Sequence, residues 1–400
     1  MKNLISTQVP LSSRALPALR IRRKTEIILL FAAAAGIGSL LLGIFRSPER
    51  AWANVLLNNY YFLSLALAGI IWVAIQYVSN AGWGTAVRRI PESMTAFLPV
   101  GAVFMFPLYF GMHSLYEWTH ESAVASSELL QYKEIYMNVP FFFIRMVVFM
   151  VLWVWFTRAI IRNSQLQDSR GGLKLFRKNV RLSAAFLFLF SLTFILASFD
   201  WIMSLEPEWF STMFPVYTFS GLFLNGIAAI TLIVILLRRA GLLPMVNENH
   251  LNDLGRLLFA FSVFWGYIWF SQYALIWYAN ISEEAAYFVR RTGRGWNYLF
   301  YLPMILNWLI PFTALVTRKA KRSEKLLFRV CIVVMAGHWM DLYLMIMPVF
   351  EITPCFGLYE ILSFAGYSAL FILLLLGRLR RIRLVPVKDP YLEESLTLHN

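Results

Sequence analysis

The chain has 400 residues, of which 59% are hydrophobic and only 14% charged, with a mean hydropathy of +0.61. A soluble domain carries about 25% charged residues, so a soluble domain is excluded and a polytopic membrane protein is indicated. The net charge of +14 would suit a nucleic-acid binder, but its distribution along the chain argues against one.

The first 26 residues are polar and basic, and no small-residue cleavage site follows the first apolar run, so no secretory signal peptide is read. A helix needs about 20 apolar residues to cross about 30 Å of hydrocarbon. Ten stretches qualify, in order 27–45, 60–78, 95–112, 139–156, 182–205, 214–237, 257–277, 298–316, 330–349 and 359–376. Several contain proline (Pro99, Pro107, Pro303 and Pro311). Membrane helices tolerate proline when neighbours bond the freed carbonyls.

Lys and Arg orient these spans. All but seven of the 36 fall in the two tails and in alternate loops. The exceptions are Arg46, Arg50, Lys133, Arg290, Arg291 and Arg294 on the other side, and Arg145 inside span 4. The expectation is a bacterial plasma (inner) membrane protein with both termini cytoplasmic. The basic excess is then a topology signal, and no nucleic-acid partner is implied. On the outer side, the loop after span 3 is acidic, with Glu117, Glu121, Glu128 and Glu134. The segment 282–291 separates apolar from charged residues as a surface helix does. Such segments are solvated connections or docking sites, and both readings stand here. Glu351 and Glu360 flank the last outer connection and read as solvated.

Spans 2–5 resemble spans 6–9. Tyr61-x-x-Ser64 with Gly69-Ile70 in span 2 matches Tyr217-x-x-Ser220 with Gly226-Ile227 in span 6. Span 4 opens at Asn138 and closes on Thr157-Arg158; span 8 opens at Asn297 and closes on Thr317-Arg318. Asp200 and Pro207 in span 5 are spaced as Asp341 and Pro348 in span 9. A four-helix unit returns the chain to its starting side, so the copies form a parallel repeat. The fold class expected is an all-α polytopic membrane protein of ten transmembrane helices. Two parallel-repeat four-helix bundles, spans 2–5 and 6–9, are flanked by two peripheral helices. Along the chain this gives a basic N-terminus (1–26), a peripheral span and outer loop (27–59), a first bundle (60–213), a second bundle (214–358), a peripheral span (359–377) and a cytoplasmic tail (378–400).

A carboxylate inside a bilayer is costly, about 2.5–3.5 kcal/mol on insertion scales, and its default reading is functional. Asp200 and Asp341 are two such groups. Arg145 enters span 4 at a depth similar to that of Asp200, which suggests an ion pair, structural or functional. His113, at the outer end of span 3, is a candidate third member. His338 and Asp341 share a helix face at i and i+3 and could exchange protons near neutral pH. Asn225 and Tyr267 are further candidates for a proton path, and each also reads as helix-packing glue. The only two cysteines, Cys331 and Cys355, match no haem, iron–sulfur or zinc spacing. No catalytic or metal-ligating residue and no covalently bound cofactor is therefore assigned.

Two stretches carry a family resemblance. One runs from Ala197-Ser198-Phe199-Asp200-Trp201-Ile202-Met203-Ser204-Leu205-Glu206-Pro207 to Glu208-Trp209-Phe210-Ser211-Thr212; the other is Phe270-Ser271-Gln272-Tyr273-Ala274-Leu275-Ile276-Trp277-Tyr278-Ala279-Asn280-Ile281-Ser282-Glu283-Glu284. With ten spans and a doubled bundle, the chain resembles the NrfD/PsrC-like integral membrane subunits over nearly its whole length. Within them it is most like the second, smaller NrfD-like component of bacterial alternative complex III. Ser282 stands where that family has proline.

The resemblance implies a subunit of a respiratory quinol:cytochrome c oxidoreductase. Its partners would be a larger NrfD-like membrane subunit, an iron–sulfur subunit and c-type cytochrome subunits, with a terminal oxidase as a further candidate. Haem c and iron–sulfur clusters would sit in those partners, and quinone or quinol is the candidate ligand here. The family's outer quinol region maps onto His113, Arg145 and Asp200. The leading expectation is a structural and proton-conducting subunit using His338, Asp341, Asp200, Arg145, Asn225 and Tyr267. A quinol-oxidising subunit and an independent secondary transporter are the alternatives.

Overall fold

The computed structural model describes residues 22–398; most of the basic N-terminal segment 1–26, and residues 399–400 of the tail, lie outside them. Among the described residues every regular element is helical. A bilayer requires this, because its core offers no water to backbone N–H and C=O groups. Among the same residues, nine helices are long and apolar enough to cross a membrane: Arg23–Arg46, Pro48–Val78, Arg89–Leu115, Val139–Arg170, Leu173–Leu205, Phe214–Arg239, Glu248–Ala279, Glu324–Val349 and Leu358–Leu379. They occupy the places of spans 1–7, 9 and 10.

The stretch expected as span 8 is not one helix. It runs as Asn297–Phe300, Leu302–Met304, a π-helical turn at Ile305–Leu309, and Ile310–Ala314. Pro303 and Pro311 have no N–H to donate, so the ladder breaks around them. Pro311 leaves the carbonyl four residues back, that of Asn307, without its helical partner. Ser262 Oγ of span 7 donates to it at 2.6 Å. Span 3 is similarly uneven, with 3-10 turns at Thr95–Phe97 and Phe106–Gly111.

Span 2 corrects the sequence reading of 27–59. Residues 48–59 are not an outer loop but the first turns of a helix that runs to Val78. Ser47 breaks the chain with an extended φ, and Pro48 starts the new helix, where its missing N–H costs nothing. The stretch carries three asparagines, Asn54, Asn58 and Asn59. They are buried and bonded, to Glu360, to Ser363 and to the Gly101 carbonyl.

Span 2 is the hub of the molecule, packing on spans 1, 3, 5, 6, 9 and 10. Span 5 packs on spans 2 and 4, and span 4 on span 3, which closes a ring of spans 2–5. Span 6 packs on spans 7 and 9, and the broken stretch 297–314 packs on both, closing a second ring. Spans 2 and 6 lie back to back. A Cβ at Gly226 would stand 2.1 Å from the Ala68 Cβ, so only glycine allows this approach. Span 1 lies against span 10, with Gly36 and Gly366 in backbone contact. Its other face, including Phe31 and Phe45, is exposed and suits lipid.

On the Lys/Arg-rich face, labelled inner and its opposite outer, the tail ties the rings together. Ser395 Oγ donates to the Trp83 carbonyl at 2.7 Å, accepts from Ala86 N–H at 3.1 Å, and lies 3.1 Å from His250 Nε2 at the start of span 7.

Candidate functional site

Asp200, at the outer end of span 5, is 3% exposed. Arg145 of span 4 grips both its oxygens, Nε to Oδ2 at 2.7 Å and Nη2 to Oδ1 at 2.9 Å. The remaining guanidinium nitrogen donates to the Tyr136 carbonyl at 3.0 Å, and the rings of Tyr136 and Phe141 cover the cation at 3.9 and 4.3 Å. The bidentate fork and the rings compensate for much of the desolvation of the pair. Such a carboxylate is committed to its cation and ill suited to releasing and taking up protons.

Asp341 is 2% exposed and differently placed. Its Oδ1 accepts from the Tyr217 hydroxyl of span 6. No described donor meets Oδ2 in good hydrogen-bond geometry, although the Trp265 indole N–H lies close to the carboxylate. His338 is equally buried, but no hydrogen bond joins it to Asp341, and neither of its ring nitrogens has a described partner. Its ring lies over Gly221, whose Cβ would meet it at 2.8 Å, and beside the Tyr61 ring. Asn225 accepts from the Tyr61 hydroxyl at 3.4 Å.

Tyr267 departs from its expected place. It is 64% exposed, because the inward face of span 7 is taken by Ser262, Trp265 and Gln272. Residues two apart on a helix point to opposite sides, so Trp265 inward puts Tyr267 outward. Glu360 is also corrected. It is wholly buried, bonded by Arg50 at 2.7 and 2.8 Å and by Asn54 at 2.9 Å, and it caps its own helix at Gly357.

Two cavities lie at the outer end. The larger, about 610 Å3, is lined by His113, His120, Glu49, Glu117, Glu206, Glu208, Glu283 and Arg290 among others. His113 thus faces a polar vestibule that neither Arg145 nor Asp200 lines. The smaller, about 20 Å3, lies among Asp341, Tyr217, Gln272, Tyr287 and Arg291. It has room for a single water.

Arg291 lines the smaller cavity and bonds Glu206, which lines the larger. It belongs to the helix Ser282–Thr292, and it points inward. Pro348 cannot donate to the Leu344 carbonyl, and Arg291 Nε does so at 2.8 Å. Its Nη2 reaches the Met345 carbonyl at 2.9 Å and Glu206 at 2.6 Å. Burial pushes the Tyr287 phenol beneath it above its ordinary pKa, so that group stays protonated.

Tyr217, Arg291 and Glu206 carried no functional signal in sequence. The one available hint was the Tyr217/Tyr61 match of the repeat.

No protein-family model matches the chain, and no curated protein matches it. Among the described residues, fold and site define a class: a multi-pass, all-helical membrane protein whose buried acids include Asp200, locked to an arginine, and Asp341, on an internal cavity.

Proposed function

We propose that this chain is an NrfD/PsrC-like integral membrane subunit of a bacterial quinol:cytochrome c or quinol:oxidase oxidoreductase of the alternative complex III kind. It crosses the inner membrane ten times as two parallel four-helix bundles plus two peripheral spans, with both termini cytoplasmic. It has no redox centre of its own and works beside a larger NrfD-like subunit, an iron–sulfur subunit and c-type cytochromes. Its roles are to hold the assembly and to conduct protons through the second bundle.

The observation that carries the proton role is Asp341, with Oδ2 unbonded among the described residues and its side chain on a water-sized cavity beneath Arg291 and Glu206. Asp200 supports the division of labour, because Arg145 commits both its oxygens to a structural ion pair. The rings of spans 2–5 and 6–9, joined back to back at Ala68 and Gly226, support the doubled bundle and leave no room there for a transported substrate. The test is Asp341→Asn in the intact complex reconstituted into vesicles. Protons moved per quinol should fall while quinol oxidation persists; an unchanged ratio refutes the relay.

A second reading has one observation in its favour. His113 lines a cavity of about 610 Å3 at the outer face, large enough for a quinol ring. A photoreactive quinone analogue should then label residues of this vestibule in the complex, and labelling confined to the larger subunit would retire that reading.

A further inference from the structure

At the opposite face, a cavity of about 340 Å3 opens between the inner end of span 4 and the end of span 10. Its lining is Gln165, Asp168, Ser169, Arg378, Arg381, Ile382 and Arg383. Several cations on this face are held in ion pairs. Arg88 pairs with Asp389, Arg89 with Glu92 and Asp168, and Arg380 with Glu26. Arg378, Arg381 and Arg383 gather on one cavity, with no side-chain hydrogen bond among the described residues, and Arg383 lies within electrostatic reach of Asp168. Asp168 is the one acid on the lining, and Arg89 already holds it at 2.5 Å. Gln165 adds a donor, Nε2, that is buried and has no described acceptor.

The walls are built rather than incidental. Lys388 Nζ donates to the Ser169 carbonyl at 2.5 Å, and the Arg88–Asp389 pair anchors the same tail segment, so the chain beyond span 10 is folded back beside the end of span 4. The depth is that of a headgroup. From Leu358 to Arg378 the helix rises about 30 Å at 1.5 Å per residue, the thickness of the hydrocarbon core. Arg378 therefore emerges where the acyl chains end and the phosphates begin. Guanidinium forks match phosphate oxygens in pairs, and basic pockets between helices on the inner face recognise acidic headgroups.

We propose that this cavity binds the headgroup of an anionic phospholipid, its phosphate held by Arg378, Arg381 and Arg383 and approached by the Gln165 amide. The site is independent of the quinol and proton readings and needs only that the Lys/Arg-rich face is the cytoplasmic one.

The test uses the full chain, delipidated in detergent and titrated with dioleoylphosphatidylglycerol or dioleoylphosphatidylcholine, with adducts counted by native mass spectrometry. Phosphatidylglycerol should be retained over phosphatidylcholine by about tenfold or more. Arg378→Gln/Arg381→Gln/Arg383→Gln should abolish that preference. Lys174→Gln/Arg177→Gln, which removes two cations from the same face outside the cavity, should leave it intact. If the triple variant aggregates, the exposed single change Arg381→Gln should give a partial loss. Equal retention by wild type and the arginine variants overturns the proposal. So does complete displacement of the lipid by millimolar inorganic phosphate, which would make the site one for a soluble anion.

Discussion

Arg145 holds both oxygens of Asp200 and lies between two aromatic rings, whereas Asp341 has one tyrosine hydroxyl. The two aspartates are matched in sequence but will respond in opposite ways to substitution. Arg145→Ala strands a buried carboxylate and should cost about 3–5 kcal/mol. Lysine should not restore it, since an ammonium cannot form the bidentate fork or stack on the rings. Asp341→Asn keeps an oxygen for the Tyr217 hydroxyl and should cost no more than about 1 kcal/mol. Denaturation of the purified chain in detergent measures both, and a larger loss for Asp341→Asn would contradict the assignment of roles. The Arg145–Asp200 pair was legible because a membrane holds few charges and these two sit at matched depth. Tyr217 was not legible as the partner of Asp341, being one of 18 tyrosines and 124 positions away.

The irregular elements share one cause. A proline in a membrane helix frees the carbonyl four residues earlier, and the protein must find it a donor. Ser262 serves the carbonyl freed by Pro311, and Arg291 that freed by Pro348. Arg291 also bonds Glu206, so the short helix Ser282–Thr292 is latched to spans 5 and 9 at once. Arg291→Leu takes the arginine donor from the Leu344, Met345 and Tyr287 carbonyls and from one oxygen of Glu206, whose other oxygen keeps Arg290 at 3.4 Å, about 1–3 kcal/mol for each buried group left unpaired. The expected result is amide exchange in 282–292 faster by about tenfold or more, with spans 2 and 6 unaffected. Unchanged protection would mean that the apolar face of the helix alone holds it down. The sequence marked this segment as an amphipathic surface helix, but nothing in it singled out Arg291 as buried. Helical periodicity assigns residues to faces and does not say which carbonyl a proline elsewhere has left open.

For the whole molecule, the decisive contact is the one between the two rings of helices. The Ala68 Cβ occupies the space that a side chain at Gly226 would need. Gly226→Ala should therefore push spans 2 and 6 apart at about 1–3 kcal/mol, and adding Ala68→Gly should recover most of that loss. A double variant no more stable than the single one would show that the bundles meet elsewhere. The tail makes a second, weaker link through Ser395 to the 82–87 turn and to His250. The sequence by itself determined that this is a helical membrane protein and where, among the described residues, nine helices long and apolar enough to cross a membrane lie, because hydrocarbon thickness and backbone hydrogen bonding leave a long apolar run no other structure. It also singled out Asp200 and Asp341, because charge in a bilayer is rare. Only the tertiary structure decided that the stretch at 297–314 is broken, that Glu360 is buried against Arg50 from 310 positions away, and that Asp341 has an unbonded oxygen on a cavity. Those outcomes depend on which helices become neighbours, and a burial pattern within one helix does not specify its partner.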